Sequence, residues 1–269
     1  YCALTIGIHW DIFTHLDNGN DRLRNFFSLG QSNIIDNEEK PWHQVIPGLS
    51  ISITAFFTNI FPKKFQVEVL HLANLTISII GLYGFGRFVR LIFNKHVSTI
   101  SVIILATYSV FFGHMSMNPK DTVVATAYVW CLYLIFKYLQ KQRGSSLIQI
   151  IIYLGFFLAL GSGVRLLFIS ILLPVFLFVS SEIFIFKKII NTKFSVKVFF
   201  QDLLKIFLVF YLFLIMFWTD AYSNIFLKPF EFMLEVIFNT ESVLATDYSL
   251  LNGNVYNVLE DNINFYIHL

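Results

Sequence analysis

Phe111-Phe112-Gly113-His114-Met115-Ser116-Met117-Asn118-Pro119-Lys120-Asp121 is a short polar hairpin between two long apolar runs. It holds a His, an Asn, a Lys and an Asp within eight residues. The flanking runs read as membrane-spanning helices, so the cluster lies at the mouth of a bilayer. Polar groups are costly there, and a concentration of them reads as functional.

The composition around the hairpin agrees. The 269 residues are 56% hydrophobic and 13% charged, with a mean hydropathy of +0.68; a soluble domain carries roughly 25% charged residues. The sequence therefore predicts an integral membrane protein. A net charge of +2 gives no reason to expect a nucleic-acid partner. Cys2 and Cys131 form neither a disulfide framework nor a metal-ligand spacing. Cys131, inside an apolar run, is expected to pack.

A span needs about 20 apolar residues. Six stretches qualify, at residues 68–93, 97–112, 122–139, 147–161, 166–186 and 203–218. Residues 1–8 are too short to cross and read as the end of a preceding span. Residues 264–269 read as the middle of a loop. The sequence is thus expected to be truncated at both ends. The expected fold is all-α: a polytopic transmembrane bundle of about six complete spans plus an N-terminal stub, forming a single domain over 1–269.

Three connections hold most of the basic residues: Arg87, Arg90 and Lys95; Lys137, Lys141 and Arg143; and Lys187, Lys188, Lys193 and Lys197. They alternate along the spans, so all three fall on one face, which the positive-inside rule makes cytoplasmic. The opposite face then carries residues 9–65, the His114–Asp121 hairpin, the turn Gly161-Ser162-Gly163-Val164-Arg165 and the chain after Trp218.

Residues 9–65 are expected to be a helical extracytoplasmic loop, with a short helix from Asp17 that puts Leu23, Phe26 and Phe27 on one side. A second, interfacial helix is expected within 44–61. After Trp218 the helical recurrence of Phe226, Leu227, Phe230, Met233, Leu234 and Ile237 predicts a helix lying on the membrane surface. Asn252-Gly253-Asn254 signals a turn. Residues 219–269 are read as the start of an outer C-terminal region.

Several polar groups on the outer face are candidates for chemistry. Asp11 follows the first stub directly, where a half-desolvated carboxylate can act as a general base. His9 and His15 flank it. In the hairpin, an N-cap role explains Asp121, turn formation explains Asn118 and snorkelling explains Lys120. Interfacial anchoring accounts for His114. Arg165 either holds a helix end to a headgroup or offers a bidentate fork for phosphate. His71 and Asn74, one turn apart, either line a cavity or join helices, and packing is the expected role. Gly81, Gly84 and Gly86 lie inside a span, where close helix packing is expected rather than phosphate binding.

With Asp11 just after a first helix and Phe-Phe-Gly-His-x-x-x-Asn-Pro-Lys-Asp opening a span, the chain resembles bacterial GT-C glycosyltransferases. It is most similar to the protein mannosyltransferases that use polyprenyl-phosphate sugars and to lipid A aminoarabinose transferases. The resemblance runs from about Gly7 to Pro174. It implies inverting transfer of a sugar from a polyprenyl phosphate to a lipid, glycan or protein acceptor outside a bacterial plasma membrane. Asp11 would be the base, with Asp17 as the fallback because relatives carry an acidic pair where this chain has Asp11 and Ile12. Asp121 would orient acceptor or donor, and Lys120 and Arg165 would neutralise the leaving phosphate. His15, His114 and Asn118 would contact the substrates. The implied partners are membrane lipids and the lipid-linked donor. No cofactor or metal is expected, although some GT-C enzymes use a divalent ion. A transporter or flippase for a lipid-linked or anionic substrate is the alternative.

Overall fold

A computed structural model of the chain describes residues 12–28, 47–142, 146–190, 194–238, 248–251 and 254–257. These residues form a helical bundle. The helices are α1 (Ile12–Phe27), α2 (Leu49–Ile60), α3 (Gln66–Ile92), α4 (Lys95–Thr107), α5 (Ser109–Met117) and α6 (Asp121–Gln140). They continue with α7 (Leu147–Ser162), α8 (Phe168–Ile171), α9 (Leu173–Ser181), α10 (Val196–Ile215) and α11 (Lys228–Phe238). One antiparallel hairpin, β1 (Tyr248–Leu251) with β2 (Asn254–Asn257), brackets the expected turn, pairing Leu251 with Asn254.

The centre of the bundle is α6, flanked by α3 on one side and α7 on the other, with α10 packed on α7. Lipid supplies no hydrophobic drive between spans, so contact depends on close backbone approach. Gly84 faces Trp130 so closely that an added Cβ would lie 2.7 Å from the indole nitrogen. That closeness lets Trp130 donate to the Ile80 carbonyl at 3.0 Å. Thr126 donates likewise to Ile77 at 3.2 Å beside Gly81, and Ser98 to Gly86 at 2.7 Å. These are packing glycines, as expected. Gly155 does the same for α7 and α10, where an added Cβ would meet Val209 at 2.6 Å. Trp130 stacks parallel on Phe157 at 5.1 Å, and Cys131 is fully buried among these helices.

Among the described residues three helices are long and apolar enough to cross a membrane, Lys63–Ile92, Asp121–Gln140 and Val196–Ile215, or four if the bent pair Lys95–Thr107 and Ser109–Met117 counts as one span. This is fewer than the six expected. The run at 97–112 breaks at Tyr108, where α4 and α5 meet at 69°. Thr107 turns its hydroxyl back onto the Ile103 carbonyl at 2.8 Å, a bond that loosens helices, and Tyr108 is extended. The run at 166–186 restarts at Leu172, because Pro174 lies in the first turn of α9 and has no N–H to continue a helix. It then widens into a π turn at Glu182–Phe186. The 16 residues of α7 reach only about 24 Å, short of a core of about 30 Å.

The ends of the helices sort as the basic connections predicted. At one end the Gly48 N–H donates to the Gly163 carbonyl at 3.1 Å. There Arg22 also reaches the Phe217 carbonyl at 3.0 Å. Residues 47–48, 118–120, 163–165 and 216–220 therefore lie together. At the opposite end Gln142 exchanges two hydrogen bonds with the Ser195 backbone, at 2.6 and 2.8 Å, which pins the start of α10 ahead of the expected residue 203. The basic connections gather there. Phe226 and Leu227 just before α11, and Phe230 and Leu234 on it, all point outward, while Phe232 stacks on buried Trp218 at 5.5 Å.

Candidate active site

The gathered end is built from the polar string outward. Residues 109–117 are helical rather than a loop, so the expected hairpin is a helix followed by a tight turn at Asn118–Lys120. The cap of α6 also differs from expectation. Asp121 is the first residue of the helix, and Asn118 does the capping. Its Oδ1 accepts the Lys120 and Asp121 N–H groups, both at 2.9 Å. Its Nδ2 lies 2.9 Å from Asp121 Oδ2, to which it donates, and 3.0 Å from His114 Nδ1. The four-residue spacing from His114 to Asn118 is one helical turn, which is why the ring and the amide meet.

Arg165 joins this group from the next connection. The Arg165 N–H donates to the Gly161 carbonyl at 3.0 Å, closing the turn after α7. Its guanidinium stands 3.5 Å from Asp121 Oδ1. Both side chains are about 60% exposed, so the pair is worth about 0–1 kcal/mol and exchanges readily for another partner.

A small cleft beside this pair is lined by His15 and Asn18 of α1, Ser50 and Ile51 of α2, Pro119 and Lys120, and Gly163 and Val164. His15 and Lys120, far apart in sequence, thus line the same cleft. The packing of α1 on α2 depends on Gly19, where an added Cβ would lie 2.7 Å from Ala55 Cβ. Gly163 lets the start of α2 dock, since a Cβ there would lie 3.1 Å from Leu49 Cβ. Asp11 and His9 lie outside the described residues. Asp17 is exposed on α1 while His15 is buried. Leu23 is buried and Phe26 partly so, but Phe27 points outward, against expectation.

Beneath α1 lies a group that the sequence did not single out. Arg22 is buried; it donates to Asn18 Oδ1 at 2.7 Å and to the Phe217 carbonyl at 3.0 Å, and approaches Asp220 at 3.8 Å. Its aliphatic stem occupies the space that a Cβ on Gly48 would need, and Gly48 has φ +79°. Burial pulls the Arg22 guanidinium below its ordinary value and pushes the Asp220 carboxyl above its own, with each partner opposing the other's shift. The signal was present in α1: a helix that turns Leu16 and Leu23 inward also turns His15, Asn18 and Arg22 inward.

Asn74 packs as expected: it is buried and donates to the Ser116 carbonyl at 3.4 Å. Its neighbour Ser78 donates to Met115 at 2.9 Å, fastening α5 to α3. Among the described residues no three His, Cys, Asp or Glu side chains gather as a metal site.

The family model described as dolichyl-phosphate-mannose-protein mannosyltransferase matches residues 47–218. The chain belongs to this family of GT-C-type membrane glycosyltransferases. The matched region contains the Asn118–Asp121 turn, Arg165 and every helix that packs directly on α6. Transfer of a sugar from a polyprenyl-phosphate-linked donor is the general activity this membership supports. No curated protein and no solved structure matches the chain.

Proposed function

We propose that the gathered end of the bundle faces the extracytoplasmic side of a bacterial plasma membrane and transfers a sugar there with inversion. The acceptor is a lipid, glycan or protein hydroxyl. Its oxygen attacks the anomeric carbon opposite the phosphate, and its proton passes to the Asp11 carboxylate. The bond from the anomeric carbon to the phosphate oxygen breaks, and polyprenyl phosphate leaves with the electron pair. Lys120 and Arg165 offset its charge as it departs. Asp121, steadied by Asn118, orients the reacting groups, while His15 and His114 contact the sugar or acceptor.

The observation that carries this reading is the 3.5 Å Arg165–Asp121 pair beside the cleft shared by Lys120 and His15. An exposed pair of so little structural value can release Arg165 to a phosphate without loss of fold. The test uses the full-length protein in membranes with a labelled polyprenyl-phosphate sugar. Asp11→Asn should lower transfer by about 10²–10⁴-fold, the range for a lost general base. Arg165→Gln and Lys120→Gln should each lower the rate, while Arg165→Lys keeps part of it. Normal transfer by D11N would move the base to Asp17 or elsewhere. Normal transfer by both Arg165→Gln and Asp121→Asn would remove the site from this end.

A further inference from the structure

At the opposite end of the bundle, α3, α6 and α7 enclose a groove of about 180 Å³. Arg87 and Lys137 both enter it. The Arg87 guanidinium carbon lies 5.5 Å from the centre of the Tyr133 ring, and Lys137 Nζ lies 5.6 Å from the same centre. Arg87 also donates to the Tyr133 hydroxyl at 2.9 Å. It donates to the Tyr83 hydroxyl as well, at 3.3 Å, and the two bonds use only part of the guanidinium's donor set. Among the described residues neither cation has a carboxylate partner within ion-pair distance. Two like charges sharing one ring repel each other, and an anion near both would add two attractions that outweigh the repulsion.

The rest of the wall suits a headgroup. Trp130 and Tyr153 give it an aromatic side, as is common where bilayer meets water. Gln149 and Ser146 add polar atoms to its lining. The Ser146 side chain makes no capping bond, so the amino end of α7 adds its partial positive charge to that of the two cations. The groove lies beyond the long body of α6 from the Asn118–Asp121 turn and shares no residue with the cleft there.

We propose that this groove binds the phosphate of an anionic membrane lipid on the basic side of the membrane. The shared chemistry is a phosphate oxyanion held by Arg87 and Lys137, with the ester's glycerol against the aromatic wall and its chains running along the outside of the bundle. Cations that merely snorkel also draw anionic lipid, but diffusely and without a fixed position, whereas a built site holds one lipid of net negative charge and loosens it when a neighbour in the wall such as Gln149 turns acidic.

The test is native mass spectrometry of the full-length protein in mild detergent, titrated separately with phosphatidylglycerol, phosphatidylcholine and inorganic phosphate. Wild type should retain one more phosphatidylglycerol than R87Q/K137Q, whose affinity should fall roughly thirtyfold, since each basic residue near the surface contributes about 1 kcal/mol. Gln149→Glu leaves both cations in place and should also weaken retention; it decides the matter if the double variant does not fold. Equal retention of phosphatidylglycerol by wild type and Q149E, or equal retention of the two lipids by wild type, would overturn the proposal. Displacement of the lipid by inorganic phosphate at equal concentration would overturn the lipid assignment in favour of a soluble anion.

Discussion

Asn118 holds Asp121 with both ends of its amide. Oδ1 accepts the Asp121 backbone N–H at 2.9 Å, and Nδ2 donates to the Asp121 carboxylate at 2.9 Å. The first bond starts α6, and the second aims the carboxylate at Arg165.

Those two jobs separate by mutation. Asn118→Ala should cost about 1 kcal/mol of stability, the usual loss for a helix cap, and should also lower sugar transfer. Asn118→Asp keeps an oxygen to cap the helix but cannot donate, and it sets a second negative charge beside Asp121. Thermal denaturation of N118D in detergent should be close to wild type while its transfer rate falls. Full activity in N118D would reduce Asn118 to a cap alone.

The Arg22–Asp220 pair predicts a larger stability effect. Removing one partner of a buried pair strands the other, at a cost of roughly 3–5 kcal/mol. Arg22→Met should therefore unfold at clearly lower temperature than wild type. The double variant R22M/D220L should recover most of that loss, because an apolar pair needs no compensation. A double variant no better than R22M would show that the bonds from Arg22 to Asn18 and Phe217 matter more than its charge.

The same carboxyl predicts a pH dependence. Burial raises the Asp220 value in the folded protein above the ordinary 3.8, against the opposing pull of Arg22. A raised folded value means that the native state binds the proton more tightly than the unfolded chain does. The stabilising contribution of Asp220 is therefore fully present below the ordinary aspartate value and is lost as pH rises through the raised one. Comparing the pH profiles of unfolding temperature for wild type and Asp220→Asn isolates it. Relative to wild type, D220N should lack a decline just above the ordinary aspartate range. Parallel profiles would contradict the raised value.

Two glycines inside helices should respond in opposite ways. Gly84→Val forces a Cβ to within 2.7 Å of the Trp130 indole nitrogen, displacing a ring that bonds to Ile80. Overpacking of this kind costs about 1–3 kcal/mol. Gly113 in α5 has open space around it. Gly113→Ala should be neutral or raise stability by up to about 1 kcal/mol through helix propensity. Thermal unfolding of the two variants side by side measures the contrast.

What the sequence revealed depended on the range of the interaction. Gly81, Gly84 and Asn74 were readable as packing residues because a small or amide side chain inside an apolar helix has few other uses there. The alternation of basic connections sorted the two ends correctly because charge in a loop reports on its side locally. The Tyr108 break was hidden, since no Pro or Gly marks it, and the Thr107 hydroxyl bond that accompanies it also occurs at Thr76 inside an unbroken helix. The cap of α6 was assigned to Asp121 because Asn-Pro-Lys-Asp offers two capping side chains, and only the geometry chooses Asn118. Arg22 escaped notice for the plainest reason: the Phe217 carbonyl it binds lies 195 positions away.

The bend at Tyr108 sets a height as well as a direction. Straight, the 13 residues of α4 and the 9 of α5 would reach about 33 Å along one axis. Turned through 69°, α5 adds only about 5 Å to the roughly 20 Å of α4. Asn118, just past the end of α5, is thereby brought about 9 Å closer to the plane where α4 begins than an unbroken helix would carry it. A lipid-bound donor cannot rise far from its bilayer, so under the proposed assignment the bend lowers this end toward the depth at which such a donor is held.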